Sequence, residues 1–259
     1  MTAPPPKSLN EAVIEIEQRI ARTRIQVRPF PHIVIDDLLP LRLRRQVDQY
    51  WPNASRLASS NFFRRGELLV SSLAQTSDGD EQTFWRTLRA VSVRSNRAVR
   101  ARLQRHFADK FRPLIGPGWR RALNGGGYLD NDAMLADYSG VVDLVPHVDH
   151  ARVVVNGFVY LDDPDQPTPD PRRGTMLYHS NGFAWPSNKV IPKAIRDRFL
   201  REAVDIGWRD NRLLAYLNGP WSFHGVPRHD LGTARRRLLM FGSLLDQETM
   251  VQVYDTELQ

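Results

Sequence analysis

His147 and Asp149 stand two residues apart in the stretch Asp143-Leu144-Val145-Pro146-His147-Val148-Asp149. On a β-strand, side chains at that spacing point to the same face. A neutral imidazole beside a carboxylate suits a borderline divalent metal such as Fe(II). One further histidine would complete a two-histidine–one-carboxylate set, which holds three positions of an octahedral iron and leaves three open.

Composition bounds the rest. The chain has 259 residues, 41% hydrophobic and 25% charged, as expected of one large globular domain. There is no cysteine, which removes disulfides, thiolate metal sites and a cysteine nucleophile from consideration. No run of eighteen apolar residues marks a membrane span, and Met1-Thr2-Ala3-Pro4-Pro5-Pro6-Lys7 lacks the apolar core of a signal peptide. A cytoplasmic protein with no membrane partner is the expectation. The net charge is +7 and the pI about 10.0. The basic residues are almost all arginines interleaved with acids, which reads as a solvated surface rather than a nucleic-acid-binding face.

The elements that must position these residues divide into a Pro-rich, disordered tail at 1–8, a helical support over 9–118 and a β-rich core over 119–250. In the support, a capping box of Ser8 and Glu11 starts a helix to about Arg24. His32 to Asp36 reads as a strand, Pro40 to Trp51 as a helix and 67–73 as a strand. Phe84, Leu88, Val91, Ser95, Ala98, Leu103 and Phe107 recur at helical spacing in one long scaffold helix from about Asp80. Beyond Gly116-Pro117-Gly118 the texture changes to short strands between turns: Trp119 to Leu123, Met134 to Tyr138, Val153 to Leu161, Thr175 to Tyr178, Arg212 to Leu217 and Arg237 to Leu245. A helix from Pro192 to Asp205 interrupts them. Many short strands with regular turns predict a sandwich or barrel. Segments 52–79, 124–133 and 162–173 read as long loops around an entrance.

In order along the chain stand Pro31-His32-Ile33-Val34-Ile35-Asp36-Asp37, Pro146-His147-Val148-Asp149, Tyr160-Leu161, Gly174-Thr175-Met176-Leu177-Tyr178, His224-Gly225-Val226 and a basic residue near 235. Together they resemble the iron(II)- and 2-oxoglutarate-dependent oxygenases of the prolyl-hydroxylase-like kind. The resemblance implies a mainly β fold, a double-stranded β-helix (jelly roll, cupin-like) flanked by helices. It implies Fe(II) held by His147, Asp149 and His224, and a basic side chain that pairs with the distal carboxylate of the cosubstrate 2-oxoglutarate. Arginine suits that task because its planar fork is bidentate. Arg235 is the choice here, with Arg236 and Arg237 as alternatives. Asn156, polar in an apolar strand, and Tyr178 are further candidates for the cosubstrate pocket, and Tyr138 is in reach by the same reasoning.

The implied activity consumes O2, releases succinate and CO2, and hydroxylates an unactivated C–H of a small molecule such as an amino acid or natural-product intermediate. The carboxylate of Asp149 favours hydroxylation over halogenation, which needs that position for halide. Two alternatives remain at this level: a hydroxylase acting on a protein residue, and a cupin-like binding protein without turnover.

Overall fold

The computed structural model describes residues 9–60, 65–124, 126–165, 174–186 and 190–254. The expected tail at 1–8 and parts of the expected loops, 61–64, Gly125 and 166–173, lie outside them.

The supporting layer begins with α1 (Leu9–Arg22), β1 (His32–Ile35), α2 (Leu41–Tyr50), β2 (Ala58–Ser60), β3 (Arg65–Leu69) and α3 (Val70–Thr76). It continues with α4 (Gly79–Leu103), α5 (Phe107–Ile115) and the single turn α6 (Trp119–Ala122). Strands β4 (Tyr128–Asp130), β5 (Met134–Tyr138), β6 (Val141–His147), β7 (Val153–Leu161) and β8 (Met176–Ser180) follow. After α7 (Lys193–Phe199) come β9 (Leu200–Asp205), β10 (Leu213–Leu217), β11 (His224–Asp230), β12 (Arg236–Leu245) and α8 (Gln247–Tyr254).

The strands form two sheets, antiparallel throughout the described residues. The larger runs β1-β10-β7-β12-β5-β3-β2, with β4 also on β12, and the smaller runs β6-β11-β8-β9. Strands β5 to β12 pass between the two sheets to make the expected jelly roll, and β1 and β3-β2 widen the larger sheet on either side. The period of two sorts the side chains. On β7, Val155 and Val159 face the helices, whereas Tyr160 faces the smaller sheet. The outward set joins Ile16, Ile20, Trp85, Leu88 and Val91 in one core between helices and sheet. The inward set, with Ala136, Tyr138, Tyr216 and Leu238, meets Leu177 and Val226 in a second core inside the roll.

Helix α4 binds the larger sheet by more than its apolar stripe. Asn96 donates to Asp130 (2.7 Å) and to the Gly242 carbonyl (2.9 Å), and accepts from the Ser243 hydroxyl (3.1 Å). These contacts fix the helix in register with β12 and satisfy polar groups that burial would otherwise penalise.

Four local expectations change. Trp119–Ala122 is a helical turn, not a strand: Trp119 stacks on Phe111 with ring centroids 6.3 Å apart, and Arg and Ala favour helix. The helix expected over 192–205 stops at Phe199, and Leu200–Asp205 pairs with β8 as a charged edge strand. The strand expected over 67–73 is Arg65–Leu69, and Val70 then starts α3. The long scaffold helix breaks after Leu103, so Phe107 belongs to α5.

Candidate metal centre

His147 ends β6 and His224 begins β11, and the two are direct cross-strand partners. Their rings lie 4.4 Å apart between centroids. The strands approach closely there because Gly225 has no side chain: a Cβ on it would stand 2.4 Å from the Leu144 carbonyl oxygen. Asp149 lies just past the end of β6 and turns its carboxylate toward both rings, 4.0 Å from His147 Nε2 and 3.6 Å from His224 Nε2. One donor atom from each of the three residues falls within 4.8 Å of the others.

The backbone sets the tautomers. His147 Nδ1 donates to the Val145 carbonyl at 2.8 Å, and His224 Nδ1 donates to the Ser222 carbonyl at 2.9 Å. A carbonyl only accepts, so each Nδ1 carries a proton, and the tautomer this selects for a neutral ring has its Nε2 lone pair facing Asp149. Burial drives the His224 pKa down to about 4, against the pull of Asp149, so the ring is neutral at physiological pH. Burial pushes the Asp149 carboxyl up, but His224, His147, Tyr216 and Asn156 together hold it below the usual carboxylate range.

The larger sheet orients this carboxylate from across the roll. Asn156 on β7 and Tyr216 on β10 are cross-strand partners, and each donates to Asp149 Oδ2 at 2.7 Å. The Tyr216 oxygen also lies 2.9 Å from His224 Nε2. Behind the site, Asn218 accepts from the Asp149 amide (3.2 Å) and donates to the His150 and Val153 carbonyls (3.0 and 3.1 Å). Lys110, buried on α5, donates to the Ala151 and Val153 carbonyls at 2.8 and 2.9 Å. The loop that presents Asp149 is thereby tied to both β10 and the helical layer.

Two imidazole nitrogens and one carboxylate, converging from one side with their far atoms already hydrogen-bonded, fit an octahedral Fe(II) with an open face. His147, Asp149 and His224 would hold it.

A cavity of about 540 Å³, mouth included, opens from these ligands into the roll. Its polar lining beyond them is Asn156, Thr175, Tyr138, Arg65 and Arg236, and its apolar lining includes Leu144, Phe158, Val226, Leu238 and Met240. Arg236 is buried, with its guanidinium 4.9 Å from the Tyr138 ring centroid, 5.5 Å from Trp208 and 5.9 Å from Tyr160.

Of the residues expected at the cosubstrate, Asn156 lines this cavity and Arg235 and Tyr178 do not. Arg235 lies just before β12 with Nε and Nη2 each 3.0 Å from Asp137. Alternation then turns Arg236 inward and Arg237 outward, where it pairs with Asp163 at 2.7 Å and covers Trp51. Tyr178 fails for the same reason: Leu177 takes the inner face of β8, so Tyr178 packs outside with Val148, Leu200 and Phe223. His150 and His179 stand outside the ligand set. Tyr216, Asn218, Lys110 and Arg65 went unnoticed in the sequence. Tyr216 sits in an unbroken apolar run, Asn218 reads as a turn residue beside Gly219, and the other two belong to the supporting layer.

No family model matches the chain, and no curated protein does. Solved structures do resemble it. A prolyl hydroxylase from Trichoplax adhaerens, in complex with a hypoxia inducible factor peptide fragment, is 13% identical, with 93% of this chain and 92% of that one covered and a TM-score of 0.45. HygX from Streptomyces hygroscopicus, with nickel, 2-oxoglutarate and hygromycin B bound, is 14% identical, with 82% of each chain covered and a TM-score of 0.42. The non-heme alpha ketoglutarate dependent epimerase SnoN from nogalamycin biosynthesis is 11% identical, with 90% and 80% covered and a TM-score of 0.49.

Proposed function

We propose that the protein is an Fe(II)- and 2-oxoglutarate-dependent dioxygenase that hydroxylates an unactivated C–H bond of a small molecule. One observation carries the reading: the two-histidine–one-carboxylate set and the buried guanidinium of Arg236 line the same cavity. A ligand with a metal-chelating end and a distal carboxylate matches that pairing, and 2-oxoglutarate has both. Bound iron would supply the redox chemistry that couples decarboxylation of the cosubstrate to oxidation of the substrate. The balance is 2-oxoglutarate, O2 and R–H going to succinate, CO2 and R–OH.

The chain's own residues bind, orient and exclude. Arg236 replaces Arg235 as the proposed partner of the distal carboxylate, because it is buried at the cavity wall and a guanidinium fork pairs bidentately with a carboxylate. Tyr138 and Thr175, which share that part of the cavity, offer hydroxyls to the same carboxylate. Asn156 and Tyr216 keep Asp149 ionised and aimed at the ligand position. Leu144, Phe158, Val226, Leu238 and Met240 form an apolar wall that suits the methylenes of the cosubstrate and a compact carbon skeleton beside it. An amino acid or natural-product intermediate is the substrate class we favour.

The test is succinate formation by the purified protein. It should require Fe(II), 2-oxoglutarate and O2 together, and His224→Ala or Asp149→Ala should abolish it. Succinate formed at the wild-type rate by His224→Ala would refute the ligand assignment.

A further inference from the structure

Three residues in the cavity stand in one row across three strands. Tyr138 on β5 is the cross-strand partner of Arg236 on β12 and, on its other side, of Arg65 on β3. The two guanidinium carbons lie 4.9 and 5.3 Å from the centroid of the same phenol ring. Arg65 comes from outside the eight-stranded roll, on the strand that widens the larger sheet. It is nearly buried at 9% exposure, and both ends of its fork are engaged. Its Nε donates to Glu67 at 2.6 Å, and its Nη1 donates to the Tyr138 hydroxyl oxygen.

That second contact fixes the polarity of Tyr138. A guanidinium has donors and no acceptor, so the hydroxyl oxygen must accept from Arg65 and its own proton must point elsewhere. Tyr138 is 2% exposed, and among the described residues no group accepts from its hydroxyl. A buried tyrosine hydroxyl ordinarily finds a partner. The cavity that Tyr138 and Arg236 both line is where an acceptor would stand.

Resting on the cosubstrate reading above, we propose that Arg65 is a positioning residue for 2-oxoglutarate. It occupies the hydroxyl oxygen of Tyr138 so that the phenol is held as a donor, aimed beside Arg236 at the distal carboxylate. Arg65 contributes through Tyr138 and need not touch the cosubstrate.

The experiment measures 2-oxoglutarate affinity of the Fe(II)-loaded protein without O2, by calorimetry, for wild type, Arg65→Met, Tyr138→Phe, the double variant and Arg65→Lys. Tyr138→Phe and Arg65→Met should each weaken binding about tenfold, and the double variant should be no weaker than either single by more than about threefold. Arg65→Lys keeps a donor without an acceptor and should stay within about threefold of wild type. It also serves if Arg65→Met does not fold. Iron affinity should be the same in all of them, which a merely structural loss would not leave intact. Wild-type binding with no loss in Arg65→Met, or a hundredfold loss in the double variant, would overturn the role of Arg65 and leave the cosubstrate reading standing. Failure of the Fe(II)-loaded wild type to take up 2-oxoglutarate at all would overturn both.

Discussion

Arg235 and Arg236 differ by one position and by nearly everything else, and their contrast gives the sharpest prediction at the level of single residues. Arg236→Met should raise the KM for 2-oxoglutarate by thirtyfold or more, since losing one side of a desolvated charged pair costs at least about 2 kcal/mol. Arg235→Met removes an ion pair with the buried Asp137 outside the cavity and should leave that KM within about threefold. Steady-state kinetics on the two variants decides which arginine serves the cosubstrate. Tyr216→Phe deletes one of two donors to Asp149 Oδ2 and should weaken Fe(II) binding by roughly 10- to 100-fold while the fold persists, as read by metal titration. The proposed ligand set, which the structure brings to one point, was legible in the sequence because His147-Val148-Asp149 and His224-Gly225-Val226 carry it locally. The proposed carboxylate partner, Arg236, stands one residue from the Arg235 that the sequence suggests, because on a strand a slip of one exchanges the faces. Where β12 begins depends on its pairing with β5 and β7, which no local pattern states.

Elements explain how His147 and Asp149 come to share one point with the distant His224. Cross-strand pairing of β6 with β11 brings the histidines together, and β7 and β10 reach over to orient the carboxylate. Strands with clear runs, such as Val153–Leu161, were readable before the structure. Leu200–Asp205 and Val70–Thr76 were not, since short segments with few apolar residues take their conformation from tertiary pairing rather than propensity. Helix α5 adds a charge the sequence did not flag. Lys110 is fully buried against the Asp149 loop, and burial lowers its pKa from 10.5 to about 7, with Asp149 opposing. Between those two values the unfolded chain holds a proton that the folded protein has largely released. Stability of the metal-free protein should therefore rise as pH goes from about 7 to about 10, and Lys110→Met should flatten that slope. Denaturant titrations across this range, on both proteins, check the sign.

For the molecule as a whole, a number of the arginines enter ion pairs that stitch layers together. Arg94 reaches Glu17 between α4 and α1 at 2.8 Å, Arg97 reaches Asp130 at 2.6 Å, and Arg212 reaches Asp36 at 2.6 Å. Exposed pairs of this sort add little stability each. Among the described residues no helix is long and apolar enough to cross a membrane. The helical layer is tied to the loop that carries Asp149 through Lys110, so a metal that binds only the folded state should stabilise the whole. At a hundred times its Kd, Fe(II) should add about 2.7 kcal/mol to unfolding, and a chelator should reverse it. The most direct measurement is an anaerobic titration of the Fe(II)-loaded protein with 2-oxoglutarate, followed by visible absorption. A saturable charge-transfer band, absent in His224→Ala and displaced to much higher concentration in Arg236→Met, is the predicted result. Tight Fe(II) binding with no such band at millimolar 2-oxoglutarate would contradict it.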